Sequence, residues 1–160
     1  FKRGVPLTIT DSRMTRFVMT IEQAVDLVLY AIENTQGGEV FVPLLPSASI
    51  GQIVEASLPV GSRFTTAHIG LRPGGEKLHE SLLSEEEPTR TIYRDPKARI
   101  LSVIPTHHEW APKSHVWFGS EPLSEGIRYT SNPESCSDEL SFSIKTEYLR
   151  SLIESTETNL

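Results

Sequence analysis

An α/β fold built around a small, partly parallel sheet is what this sequence predicts, and three observations lead there. Strand-like and helix-like segments alternate between residues 5 and 84, the pattern of a layered α/β arrangement. Two helical segments are preceded by a capping box, Thr20 with Gln23 and Ser49 with Gln52, in which side chain and backbone satisfy each other's orphan groups. Between residues 64 and 84 an alternating pattern gives way, across a glycine turn, to apolar residues at helical spacing. With 160 residues, 38% hydrophobic and 22% charged, the chain has material for one domain with a modest core.

Taken in order, Val5-Pro6-Leu7-Thr8-Ile9-Thr10-Asp11 reads as a short strand, with Pro6 at its start, where a missing amide proton disturbs no ladder. Residues 12–19 are polar and basic. The helix expected over 20–34 places Ile21, Ala24, Val25, Val28 and Ile32 on a buried stripe, widened by Leu27, Leu29 and Ala31, and Asn34 with Gly37-Gly38 ends it. Glu39-Val40-Phe41-Val42-Pro43-Leu44 is a near-continuous apolar run, hence a buried strand. Ile50, Ile53 and Val54 carry a short helix toward Pro59-Val60-Gly61. A strand over 64–71 and a helix over 76–84, marked by Leu78, Leu82 and Leu83, complete the alternation. Glu85-Glu86-Glu87-Pro88 reads as a solvated acidic turn. Strands are expected at Thr91-Ile92-Tyr93, at residues 100–104 and at His115-Val116-Trp117-Phe118, loop over 119–142, and a terminal helix on Ile144, Tyr148, Leu149, Leu152 and Ile153 that frays after Glu154.

Composition removes several function classes. The formal charge is −6 and no basic run interleaves with aromatics, against a nucleic-acid surface. No apolar run approaches the roughly 18 residues that cross a bilayer, and no signal peptide is expected. The lone Cys136 rules out an internal disulfide framework and suits a reducing, cytoplasmic compartment. The chain starts on Phe1 and runs straight into a strand pattern, as expected of a piece of something longer.

Residues 70–80, Gly70-Leu71-Arg72-Pro73-Gly74-Gly75-Glu76-Lys77-Leu78-His79-Glu80, concentrate charge at a turn. Pro73 forbids regular pairing, and Gly74-Gly75 permits positive φ or close approach of a ligand. An Arg at a strand end facing free amides at a helix start is one way to hold phosphate; an ordinary connection with a solvated Arg is the other reading. The stretch is not a P-loop, since Glu76 separates Gly75 from Lys77 and Leu78 replaces the hydroxyl; nor does any Gly-x-Gly of a dinucleotide cradle occur in the chain.

Other catalytic patterns fail on geometry. Tyr93-Arg94-Asp95-Pro96-Lys97 matches Tyr-x-x-x-Lys only formally, because Pro96 excludes the helix that pair requires. His107-His108-Glu109 and His115 lack the spacing of a helical zinc motif, Cys136 has no base beside it, and no Gly-x-Ser-x-Gly elbow exists. What survives is two basic clusters, Arg13 with Arg16 and Arg72 with Lys77, each after an expected strand. Arg pairs bidentately with phosphate, so two such clusters suit a diphosphate, and they are equally readable as surface charge.

Several segments jointly support a resemblance. Pro6 through Phe17, the helix from Thr20 through Gln23-Ala24-Val25, Gly37 through Pro43, and Ile69-Gly70-Leu71-Arg72-Pro73-Gly74 with Glu76-Lys77-Leu78-His79-Glu80 resemble the polysaccharide-biosynthesis branch of the extended short-chain dehydrogenase/reductases. Within it they are most similar to the UDP-N-acetylglucosamine 4,6-dehydratases, some of which also epimerise at C5. The likeness extends through Tyr129-Thr130-Ser131-Asn132-Pro133 to the helix bearing Leu149-Arg150, and covers the C-terminal half of such an enzyme.

That resemblance implies that residues 1–160 form the small C-terminal lobe that closes over a UDP-sugar. An upstream Rossmann lobe, absent from this chain, would hold NADP or NAD and the catalytic residues, and the full-length enzyme would be a homo-oligomer. The implied reaction oxidises C4, eliminates water across C5 and C6, and returns hydride at C6. Carried over by position, Thr8 and Ile9 present backbone to uracil, Arg72 binds pyrophosphate, Glu76 holds ribose hydroxyls or braces the loop, and Arg13 and Arg16 support substrate or loop. The family usually has a single Gly before Glu-Lys-Leu-His-Glu, so Gly75 is an insertion that bears on the position of Glu76. Phe17-Val18 stands where Phe-Trp is common. The alternative is a non-catalytic nucleotide-sugar-binding or interaction module from a truncated gene.

Overall fold

The computed structural model describes residues 6–105 and 121–157, with side chains through Ser155. Three short sheets and three helices make up the lobe, so the α/β class stands. Among the described residues, parallel strand pairing is confined to one pair. Strand β1 (Leu7–Ile9) runs parallel to β5 (Thr66–His68), with Thr8 opposite Ala67. Strand β2 (Thr15–Phe17) pairs antiparallel with β4 (Ser47–Ser49). The third sheet is antiparallel throughout, with β7 (Ile100–Val103) between β3 (Val40–Pro43) and β6 (Thr91–Asp95).

The central strand is where the main core sits. Ile100, Leu101, Ser102 and Val103 are all buried, and Leu101 and Val103 pack with Val42, Leu83, Leu123, Tyr129, Cys136 and Leu140. Strand β3 lies at the edge of that sheet: Val42 is buried, but Val40 is exposed, so the strand expected to be buried is only half so. A second cluster joins α2 (Ile50–Ala56) to α3 (Thr146–Glu157), with Ala48, Ala56, Ile144 and Leu149 at its centre. Arg150 ties these helices together by donating to the carbonyls of Leu58 and Glu55, the second at 2.6 Å, at the C-terminal end of α2. A cation there meets the negative end of the helix dipole.

Both capping boxes form as the sequence requires. Thr20 Oγ1 accepts from the Gln23 N–H at 3.2 Å while Gln23 Oε1 accepts from the Thr20 N–H at 2.9 Å, starting α1 (Ile21–Asn34). Ser49 and Gln52 repeat the arrangement at the start of α2. The burial expected for α1 does not hold. Ile21 is 77% exposed, Ile32 69%, and Val25, Val28 and Leu29 are exposed as well. The helix meets the sheet through its other side, where Tyr30 stacks edge-on against Phe41 at 5.8 Å. Periodicity identifies an apolar face; it does not say whether anything among the described residues covers it.

The helix expected over 76–84 is also absent. Its backbone groups bond to distant segments: the Leu78 carbonyl accepts from the Thr15 N–H at 3.0 Å, the Leu82 N–H donates to Tyr129 O at 3.0 Å, and Glu80 O accepts from the Ser131 N–H at 2.8 Å. Those tertiary bonds replace the local ladder, and Leu83 reaches the main core from an irregular chain. Residues 121–142 are irregular, as expected for a loop, yet they supply Leu123, Tyr129, Cys136 and Leu140 to the core. Tyr93 and Lys97 lie on a hairpin: Asp95 Oδ1 accepts from the Lys97 and Ala98 N–H groups, both at 2.9 Å, and Arg99 takes φ 58°. The strand expected at 115–118, together with His107, His108 and Glu109, lies outside the described residues.

Candidate functional site

The β1–β5 pair sets the position of the charged turn. Its pairing continues past the strands, with the Ile69 N–H donating to Ile9 O at 3.1 Å and the Gly70 N–H to Thr10 O at 3.0 Å. Thr8 is exposed and Ile9 buried. Among the described residues β1 has β5 as its one neighbour, so its other edge keeps backbone donors and acceptors for something else. The chain then turns at Gly70, φ 77°, and enters the loop of Arg72.

Glu76 closes that loop. Its carboxylate accepts from the Arg72 N–H at 2.8 Å and from Arg72 Nη2 at 3.0 Å. The Glu76 side chain is 15% exposed and that of Arg72 72%, so the acid anchors and the guanidinium faces outward. The Arg72 hydrogen bonds hold the Glu76 carboxyl below the usual carboxylate range, and Glu76 in turn raises Arg72. Between them Gly74 and Gly75 sit at φ 111° and 102°, with open space where a Cβ would point. Their glycine character answers to backbone angle. The extra glycine therefore leaves Glu76 in contact with Arg72. The loop lies on the surface, its guanidinium exposed. A groove of about 380 Å³ beside α1, lined in part by Gln23, Tyr30, Leu44 and Arg99, contains none of Thr8, Ile9, Arg13, Arg16, Arg72 and Glu76.

The two arginines of the first basic cluster have different occupations. Arg13 is paired with Asp11 at 2.7 Å and exposed; it draws the Asp11 carboxyl down to about 2, chiefly through its side-chain hydrogen bond and then through its backbone N–H. Arg16 is turned inward. It donates to Thr15 O at 2.6 Å, Leu78 O at 3.1 Å and Lys77 O at 3.0 Å, with Glu80 3.8 Å from its Nε. Beside it Thr15 Oγ1 lies 2.8 Å from His79 Nδ1 and 2.7 Å from Ser131 Oγ. Ser131 Oγ also accepts from the Glu80 N–H at 2.9 Å. No spacing rule points to Thr15, His79 and Ser131 as a group, since 64 and 116 positions separate Thr15 from its two partners.

Cys136 is buried and its thiol is pushed up by that burial, the reverse of an activated nucleophile. Among the described residues no His, Cys, Asp and Glu side chains gather as a metal site. An exposed guanidinium, flanked by glycines and backed by a carboxylate, is suited to an anion that carries several oxygens.

Residues 1–101 match the family described as polysaccharide biosynthesis protein, and the chain belongs to that family. Among curated relatives, a UDP-glucose 4-epimerase of Rickettsia typhi is 44% identical over 87 residues, covering 54% of this chain and 25% of the relative. One from Rickettsia rickettsii is 42% identical over 101 residues, covering 59% and 29%. A solved structure, the X-ray structure of Pen from Bacillus thuringiensis, superposes with TM-score 0.70 at 26% identity, over 97% of this chain and 43% of that one. The chain thus spans about a quarter of the length of the curated relatives it matches.

Proposed function

We propose that this chain is the C-terminal, substrate-binding lobe of an enzyme that modifies a nucleotide-sugar for polysaccharide biosynthesis, and that Arg72 binds the diphosphate. The observation that carries the reading is the Arg72–Glu76 loop: a charged fork held by a carboxylate at 3.0 Å, presented outward beside two positive-φ glycines. Among the described residues the edge of β1 that faces away from β5, at Thr8, suits the hydrogen-bonding edge of uracil, while the Ile9 carbonyl is engaged by the Ile69 N–H. Glu76 acts as the brace of the loop, and Arg13, paired with Asp11, supports substrate or loop.

Within that class we favour a 4,6-dehydratase acting on a UDP-N-acetylglucosamine type of substrate, on the linked motifs at 6–17 and 69–80. The name of the Rickettsia relatives favours a second reading, inversion at C4 of a UDP-hexose. Both chemistries need the same diphosphate anchor. This chain's residues do not fit a nicotinamide dinucleotide: the sequence has no Gly-x-Gly, and no strand, glycine turn and helix follow one another at residues 66–84. The hydride carrier of the proposed reaction belongs with other polypeptide.

Titration calorimetry of the intact protein with UDP tests the anchor. Arg72→Ala is expected to weaken binding by about 10- to 100-fold, the scale of a lost charge-assisted contact. Equal affinity in the variant contradicts the assignment. Product analysis with UDP-N-acetylglucosamine and UDP-glucose then separates dehydration from epimerisation.

A further inference from the structure

The loop that carries Arg72 is held from both ends. On the incoming side Ile69 and Gly70 are bonded to Ile9 and Thr10. On the outgoing side Arg16 grips the carbonyls of Lys77 and Leu78, the two residues directly after Glu76. Leu78 O also accepts from the Thr15 N–H at 3.0 Å, so both of its lone pairs are engaged by β2. Strand β2 is itself fixed: it pairs with β4, and just before it Met14 O accepts from the Ile50 N–H at 2.9 Å. The contact between Thr15 and His79, with Ser131 behind it, fastens the next residues to the same strand.

Arg16 spends three of a guanidinium's five N–H donors on carbonyls of the protein, and its side chain is 25% exposed against 72% for Arg72. It is built to hold chain. Glu76 precedes the gripped carbonyls, and Glu76 is what grips Arg72. A continuous line of bonds runs from β2 through Arg16 and Lys77 to Glu76 and the outward-facing guanidinium.

We propose that Arg16 is a positioning residue for anion binding at Arg72: by fastening Lys77 and Leu78 to β2 it sets where Glu76, and through it the Arg72 guanidinium, stands. The affinity of the loop for a diphosphate then depends on a side chain that does not touch the ligand. This inference rests on the reading of Arg72 as the diphosphate anchor.

A double-mutant cycle on the intact protein tests it, with UDP and uridine as the two probes. Arg72→Ala weakens UDP binding and abolishes most of the preference for UDP over uridine. Arg16→Met weakens UDP by about three- to tenfold, the range of coupling between linked residues, while uridine binding is unchanged. In the Arg72→Ala background, Arg16→Met adds less than about twofold, because the group it positions is gone. Arg16→Lys keeps the charge but loses the planar fork that reaches two carbonyls, so it shows the same pattern with a smaller loss. That variant decides the matter if Arg16→Met does not fold. Equal losses of UDP affinity in both backgrounds mean that Arg16 meets the ligand itself and overturn the positioning role. So does unchanged UDP affinity in a folded Arg16 variant, or a parallel loss of uridine binding. If Arg72→Ala alone leaves UDP affinity intact, the anchor reading fails first and is recognisable as the failure.

Discussion

Replacing Tyr129 with Phe isolates what holds the irregular segment 121–142 in place. Its ring is 1% exposed and lies 5.0 Å from that of Phe17, so the ring's packing is retained in the variant. The hydroxyl is lost. In the folded chain it donates to Pro43 O at 2.9 Å and accepts from the Leu45 N–H at 2.6 Å, clasping the two residues around the end of β3. Stranding such partners costs about 1–3 kcal/mol. Native-state hydrogen exchange of the intact protein reads this at the Leu45 amide, which should exchange about five- to 150-fold faster in Tyr129→Phe. An unchanged rate at Leu45 refutes the clasp.

The same hydroxyl supplies an alkaline signature. Burial favours the neutral phenol and pushes Tyr129 up to about 12 from 10.0, against the lowering effect of the Leu45 N–H. The folded-state value is the raised one, so the contribution is complete below pH 10 and falls away as pH climbs from about 10 to about 12. The protection lost with rising pH in the wild type should be missing from that variant.

Two further outcomes follow from local geometry. Thr20→Ala removes one half of the α1 capping box and should cost about 1 kcal/mol, read as a fall in thermal midpoint, with Thr20→Gly milder; no difference between Thr20→Ala and wild type contradicts the cap. For Asp11 the folded value is lowered, so its contribution is complete above 3.8 and is lost as pH falls toward about 2. Carboxyl NMR should place its midpoint near 2, and Arg13→Ala should raise it; a wild-type midpoint near 3.8 contradicts the pairing.

Local rules in the sequence read best where the structure uses local bonds. The capping boxes at Thr20 and Ser49 close entirely within four residues, and both were legible. The strands at Thr91-Ile92-Tyr93 and at residues 100–104 were legible too, whereas their pairing as a hairpin is seen only in the structure. Leu78, Leu82 and Leu83 have helical spacing, but Thr15, Tyr129 and Ser131 capture their backbone from far along the chain, which no window of sequence displays. The same distance hid the core role of Tyr129 in a segment rich in Ser, Pro, Glu and Gly. At the candidate site, Arg72 stood out with Lys77 as a basic cluster at the glycine turn, while Glu76 entered only through the family resemblance, and it is Glu76 that the structure bonds to Arg72. The inward turn of Arg16 was not visible, because its partners are carbonyls, and every residue has one.

The central claim is that Arg72 meets a nucleotide's diphosphate, and a structure of the intact protein with UDP bound tests it most directly. The account predicts Arg72 guanidinium nitrogens about 2.7–2.9 Å from phosphate oxygens, with Glu76 still accepting from the Arg72 N–H. UDP seated with its phosphates away from the 70–76 loop, and the guanidinium still turned to solvent, contradicts it.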